Sequence, residues 1–488
     1  ENMYQVQRPI FIFAAIAMGI ALRFWHLDLK PVWMDEVMTA ILSLGRNYQD
    51  VPLGQVLPVS AFEQVFRLRT DVSCADIAHI VTTQSVHPPF FFCWMHDWLR
   101  WTAGLPLSWI WKLRALPALF GVLVIVAMYQ LNRVLYSRPA AWAGAAVMAV
   151  SPLAVYLSQE ARHYTLPVLL ITLALLGLYQ LHLDLYRRQL RPLVWLGWVV
   201  INGIGFYVHY FFLLAFVAEC LTLLLNSYWL FRHASVTAAP LVLNPDALPD
   251  PSLMRQSHRW QSTLLAAAIG VAIGAVCLIY LPLLPTFLSH INRPETDWMV
   301  PPEPGWLAQI APLYQLPFGW IVMLIALPVE SQPLSVRGVS AVAMVSFTGW
   351  LLWRLWPGLK QLWYTPQTHL PTRMLVIFIL TAVLEFLAIV YLLQKDITQV
   401  PRYHFIYFPA VCALLGAGLS QSTTQRRPLF NQKPGLLSRI NPTVALLLVG
   451  LLSSSFVVTN LVFQKPYTPE QVVQTMRFEP TRPLLVSM

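Results

Sequence analysis

Two adjacent carboxylates, Asp35 and Glu36, stand just beyond the first hydrophobic stretch, in the run Pro31-Val32-Trp33-Met34-Asp35-Glu36-Val37. Acids in so apolar a run either cap a surface helix or face water at a membrane boundary, where a carboxylate can accept a proton. If the segment is helical, successive side chains diverge by roughly 100°, so the two cannot serve one atom equally and Glu36 reads as an orienting partner of Asp35. A third acid lies in Gln159-Glu160-Ala161-Arg162-His163-Tyr164, and a second arginine in Gln399-Val400-Pro401-Arg402-Tyr403-His404. Guanidinium groups offer a planar donor fork that fits phosphate oxygens. His87, before Pro88-Pro89, and Arg114 complete the set. A proton acceptor together with forks for a developing anion makes up the parts of a group-transfer site.

Composition fixes the setting for these residues. Hydrophobic residues make up 57% of the 488 and charged residues 11%, and mean hydropathy is +0.58, whereas soluble domains run at roughly a quarter charged. Nineteen Trp and eighteen Tyr suit two interfacial belts. The hydrophobic pattern predicts an all-α, polytopic membrane protein of about eleven to thirteen spans. Eleven are placed at 9–27, 113–135, 139–157, 164–184, 192–208, 210–231, 261–284, 337–356, 374–394, 404–420 and 442–463. The stretch 306–328 is apolar but carries Pro312, Pro317 and Pro328, which leaves spanning, re-entry and surface lying open. The first span ends in Arg23-Phe24-Trp25-His26 with no small-residue cleavage site, so it reads as an anchor.

Basic residues orient the chain. Arg8, Arg133, Arg138, Arg187, Arg188, Arg191, Arg232, Arg255, Arg259, Arg354, Lys360, Arg373, Arg426, Arg427, Lys433 and Arg439 fall on one side, which reads as cytoplasmic. The net charge of +10 is then mostly positive-inside bias and argues against a nucleic-acid partner. The opposite face collects the loop 28–112, the turn 158–164, His209-Tyr210, the segment 285–305 and 399–404. Ionisable groups gathered at a membrane face point to a site. Within the first loop, Trp33–Leu44 and Pro88–Ala103 read as juxtamembrane surface helices, the second beginning at prolines whose missing amide costs nothing there. Residues 1–235 read as a catalytic membrane module, 236–463 as a variable one and 464–488 as a short outer tail, with 233–258 as a cytoplasmic loop. Cys220, Cys277 and Cys412 lie within apolar spans; Cys74 and Cys93 could meet in the first loop.

The ordered set of Asp35-Glu36, His87-Pro88-Pro89, Arg114, the 159–164 turn and Arg402-Tyr403 resembles the C-type membrane glycosyltransferases. The nearest in pattern are the dolichyl-phosphate-mannose–protein mannosyltransferase superfamily (glycosyltransferase family 39) and the lipid A aminoarabinose transferases. The likeness covers about residues 9–235, and beyond that rests on hydropathy and Arg402-Tyr403. It implies transfer of a sugar from a polyprenyl-phosphate donor to a hydroxyl of a protein, lipid or glycan at the outer (periplasmic or luminal) face. Asp35 is then the expected base, with Glu36 and Glu160 as supporting catalytic acids. His87, Arg114, Arg162, His163, Tyr164, Arg402 and Tyr403 are the expected substrate-binding residues, with the arginines on the leaving phosphate. No cofactor is required by this chemistry. A divalent metal is allowed for by the oxygen and nitrogen donors Asp35, Glu160, His163 and His87, although no close-spaced ligand motif occurs. A transporter or flippase, or a polymerase or ligase of lipid-linked glycans, is the alternative. A transporter would place its key charges at the membrane midplane, where Glu219 and Glu385 fall.

Overall fold

The computed structural model describes residues 2–51, 63–237, 251–291, 293–300, 305–422 and 440–465. Among them the regular elements are all helical. In chain order they are α1 (Asn2–Phe24), α2 (Met34–Ser43), α3 (Cys74–Gln84), α4 (Phe90–Trp101), α5 (Trp109–Leu135), α6 (Arg138–Val150), α7 (Pro152–Ser158), α8 (Thr165–Arg187) and α9 (Pro192–Val208). There follow α10 (Phe212–Thr237), α11 (Pro251–Tyr280), α12 (Leu284–Ile291), α13 (Trp306–Leu324), α14 (Leu334–Tyr364), α15 (Pro366–Leu393), α16 (Phe408–Ser422) and α17 (Pro442–Val458). Each of the eleven expected spans coincides with a helix or helix pair. Among the described residues, six stretches are long and apolar enough to cross a membrane by length and composition, seven with one bent pair. Four shorter apolar helices, Ile10–Phe24, Pro192–Val208, Phe408–Gln421 and Pro442–Val458, stand at four further expected spans. The stretch left open, 306–328, is helical only over α13, Trp306–Leu324, and is not among the six. Of the expected 233–258 loop, the ends belong to α10 and α11 and only 238–250 lie outside the described residues, as do Arg426, Arg427, Lys433, Arg439 and the tail beyond Lys465.

The expected single span 139–157 is broken. Helices α6 and α7 meet at 59° because Pro152 has no amide to continue the ladder and Ser151 starts a new helix, its Oγ accepting from the Ala154 amide. The freed carbonyls are taken up by neighbours. Arg23, fully buried, donates to Met148 O at 2.9 Å and Ala149 O at 2.8 Å, and Ser454 Oγ donates to Val150 O at 2.8 Å. Freed backbone groups inside a bundle must be satisfied in this way. The bend aims α7 and the following turn at the first loop. On the far side of the bundle α16 crosses α6 so closely that a Cβ on Gly416 would run into the backbone of Gly144, which is the small-residue route to tight helix packing.

The first loop folds as expected at α2 and α4 and adds α3. That helix begins with Ser73 and Asp76 exchanging bonds: the Ser73 amide donates to the Asp76 carboxylate at 2.8 Å and the Asp76 amide to Ser73 Oγ at 3.3 Å, a capping arrangement. Cys74 and Cys93 form a disulfide that ties α3 to α4. His96 of α4 reaches Ser43 O at 2.9 Å, docking α4 beneath α2.

Candidate functional site

The site grows from the start of α2. Trp33 is the N-cap and the chain turns helical at Met34, so Asp35 and Glu36 fall in the first turn, where carboxylates suit the helix dipole. From there they part. Glu36 is fully buried and takes a two-pronged bond from Arg114, 2.8 Å from Nε and 2.7 Å from Nη2. It also accepts the Ala161 amide at 2.8 Å. Arg114 spends its remaining donors on the carbonyls of Leu27, Lys30 and Pro31. Glu36, read both as an orienting partner and as a supporting acid, and Arg114, expected on the substrate, staple the entry to α2 onto α5 and the 159–163 turn. Neither lines the cavity.

Asp35 faces a cavity of about 430 Å³. Its carboxylate lies 3.7 Å from Nη2 of Arg162 and 3.5 Å from Nη2 of Arg402, both to the same oxygen. Arg162 is further anchored by Asp35 O at 3.1 Å and Thr39 Oγ1 at 2.9 Å. It also donates to Nε2 of His87 at 3.0 Å. Since an arginine can only donate, His87 accepts at Nε2 and donates from Nδ1 to Ser85 Oγ at 2.8 Å. It is thus a neutral imidazole, and burial, reinforced by Arg162, holds its pKa well below the usual 6.5. The Nε atoms of both arginines are buried without a hydrogen-bond partner. Arg402 also lies over the rings of Trp33, Tyr164 and Tyr403 at 5.0, 5.8 and 5.7 Å. Buried donors left unpaired are costly, and these two guanidinium groups could pair with an anion at this end of the cavity.

Tyr164, Tyr403, His87 and the two arginines line the cavity as expected of site residues, whereas His163 does not. His163 is buried behind His87 and His209, ring centres 4.9 and 4.6 Å away, with neither nitrogen hydrogen-bonded. Burial lowers the pKa of His163, and His209 and Arg162 add to the effect. Glu160 lies outside the cavity too, paired with Lys465 at 2.5 Å. Burial alone would raise its pKa, but the charge and hydrogen bond of Lys465, with Arg402, outweigh that and lower it. Among the described residues no group of three His, Cys, Asp or Glu comes together that could hold a metal ion, so Asp35, Glu160, His163 and His87 do not form the ligand set allowed for above. Sequence reasoning passed over His209, His290, Glu295, Trp298 and Lys395 as individual site residues, all of them on the cavity wall. The only signal was that 285–305 and His209-Tyr210 fell on the same face as Asp35. Apolar residues of the spanning helices, Leu213 and Leu214 on α10 and Ile389 and Leu393 on α15, complete the lining.

The arrangement also fixes polarity along the bundle. Arg162 stands at the Thr165 end of α8, whose 23 residues put Arg187 roughly 34 Å away. Asp35 and Arg187 therefore lie at opposite ends.

The sequence model of the family described as dolichyl-phosphate-mannose-protein mannosyltransferase matches residues 87–244. That stretch holds His87, Arg114, Arg162 and His209, but neither Asp35 nor Arg402. A search of curated proteins finds no significant match. Among solved structures, ArnT from Cupriavidus metallidurans in the apo state is similar over 94% of this chain and 77% of its own, at 13% identity and TM-score 0.49. The same protein bound to undecaprenyl phosphate is similar over 99% and 82%, again at 13% and 0.49. The oligosaccharyltransferase AglB from Archaeoglobus fulgidus, in complex with an inhibitory peptide and a dolichol-phosphate, matches 99% of this chain at 14% identity and TM-score 0.45, and this chain spans 59% of it. The resemblance implied by the ordered motifs is met in the sequence comparison: over residues 87–244 this chain is similar to the dolichyl-phosphate-mannose-protein mannosyltransferases.

Proposed function

We propose that this protein is a membrane glycosyltransferase that moves a sugar from a polyprenyl-phosphate donor to a hydroxyl on a protein, lipid or glycan. The observation that carries the reading is the convergence of Arg162 and Arg402 on Asp35 at the mouth of a largely apolar cavity. The family match over 87–244 supports the reaction class. In this reading the donor phosphate takes the two guanidinium groups, whose contacts to Asp35 are long, and so releases the carboxylate. Asp35 then accepts the acceptor's hydroxyl proton, the oxygen bonds to the anomeric carbon, and the bond from that carbon to the phosphate oxygen breaks. The electron pair leaves on the phosphate, where the arginines stabilise the charge. They supply what a divalent ion would otherwise bring, so no cofactor is needed. The prenyl chain lies against Leu213, Leu214, Ile389 and Leu393.

The site is read as facing the periplasm or lumen. Arg187 lies at the end of its helix away from Asp35, and the positive-inside bias assigns the arginine-rich loops to the cytoplasm. The Cys74–Cys93 disulfide suits an oxidising compartment.

The test is transfer by the purified protein in lipid nanodiscs, given labelled polyprenyl-phosphate sugars and a membrane extract as acceptor source. Label should move to an acceptor, with competitive inhibition by polyprenyl phosphate. Absence of transfer from every lipid-linked sugar, with no binding of polyprenyl phosphate, contradicts the reading.

A further inference from the structure

We infer that Lys465, which follows α17, is a positioning residue that neutralises Glu160 and thereby keeps Arg402 free for its ligand. This rests on the donor-phosphate role proposed for Arg402.

Glu160 is a buried carboxylate two residues before Arg162. One of its oxygens bonds Lys465 Nζ at 2.5 Å, and the other is buried with no hydrogen-bond partner. Lys465 also donates to Tyr156 OH at 2.7 Å and sits 3.9 Å over the ring of Trp33. Trp33 caps the helix that carries Asp35, and the same indole lies 5.0 Å from the guanidinium of Arg402. A single ammonium thus joins three pieces of the site: the 159–163 turn, the start of α2 and, through the shared ring, Arg402.

Removing one partner of a buried ion pair leaves a charge that its surroundings must compensate. Arg402 is the cation best able to respond. It already acts on the charge of Glu160, its hold on Asp35 is a long 3.5 Å contact, and its Nε has no partner. Arg162 is fixed by Thr39, Asp35 O and His87. Lys30 also feels Glu160, but Arg114 opposes its charge. Without Lys465, Arg402 is drawn toward Glu160 and away from the cavity.

The experiment compares Lys465→Met, Lys465→Arg, Glu160→Gln and the double variant Lys465→Met/Glu160→Gln, reading donor KM, kcat and the thermal midpoint of each purified protein. Lys465→Met should raise donor KM by about tenfold or more, a shift that corresponds to about 1.4 kcal/mol, with a smaller change in kcat. Lys465→Arg should retain most function. The double variant should recover to within about threefold of Glu160→Gln alone, the non-additivity expected of a coupled pair. A role of Lys465 in packing alone would give no such rescue. A wild-type donor KM in Lys465→Met, or a double variant as poor as Lys465→Met, overturns the inference. If the wild type transfers no sugar, the function proposed above fails, and the midpoints still decide the pairing. Restoration in the double variant supports it, and additive losses overturn it.

Discussion

Asp35 and Glu36 are neighbours in the chain and each faces arginine, yet the two acid–arginine sites are opposites. Around Glu36 the bonds are short, 2.7 and 2.8 Å, and its side chain is 0% exposed. Around Asp35 they are long, 3.5 and 3.7 Å, and its side chain is 25% exposed. Arg114 uses its donors on Glu36 and three carbonyls, while Arg162 and Arg402 each keep a buried donor unpaired. A pair closed on itself can only hold shape. A carboxylate shared loosely between two under-used guanidinium groups can yield them to an incoming anion. The helical turn separates the two roles, since adjacent side chains on α2 leave in different directions.

The largest effect that sharpens this contrast is on folding. Glu36→Gln leaves Arg114 buried without its counter-charge, and breaking such a pair costs about 3–5 kcal/mol. The midpoint of chemical or thermal unfolding should drop strongly. A Glu36→Gln protein of wild-type stability would erase the distinction between the two sites. Arg402→Lys should act the other way, leaving stability near wild type. It keeps the charge but loses the fork, so donor kcat/KM should fall by about tenfold, or about 1.4 kcal/mol. Equal kinetics for Lys and Arg would mean that only charge matters at 402.

A further effect is gradual. Burial, ahead of the charge of Arg162, depresses His209 to about 3 and His87 well below 6.5; for His163, burial is reinforced first by His209 and then by Arg162. In the unfolded chain these imidazoles titrate near 6.5. Below that pH the unfolded state binds protons that the folded state refuses, so stability falls as pH drops from about 6.5 toward the folded values. Unfolding midpoints measured between pH 8 and pH 4 should decline below pH 6.5. Replacing His163 with a neutral residue of similar size should flatten the slope, and an unchanged slope would show that it does not contribute.

Much of this was legible in the sequence, and the failures have physical causes. Spans are readable because a bilayer demands some twenty apolar residues each, and every expected span met a helix. The loose site was legible because Asp35, His87, Arg162 and Arg402 are costly residues gathered at one membrane face. The break at Pro152 was readable in principle from Ser151-Pro152, a cap followed by a residue that cannot continue the ladder, but the surrounding hydropathy hid it. Helix α3 announced itself through Ser73-x-x-Asp76, a capping pattern passed over among polar loop residues. Helical divergence already set Glu36 apart from Asp35, but Arg114 could not be sorted from Arg162 and Arg402 by type, because burial and the direction of a side chain decide which pair closes. Lys465, His290, Glu295 and Lys395 carry no local motif. They reach the site or its flank only through tertiary packing of distant segments.

In the proposed reaction, transfer depends on Asp35, held loosely between two arginines. Asp35→Asn keeps size and removes the proton acceptor, and the most direct measurement is sugar transfer by this variant alongside its binding of polyprenyl phosphate. In Asp35→Asn, kcat should fall by about a hundredfold or more, in the range for loss of a general base, with lipid-phosphate binding and unfolding midpoint retained. Transfer by the Asn variant at close to the wild-type rate would contradict that dependence on Asp35.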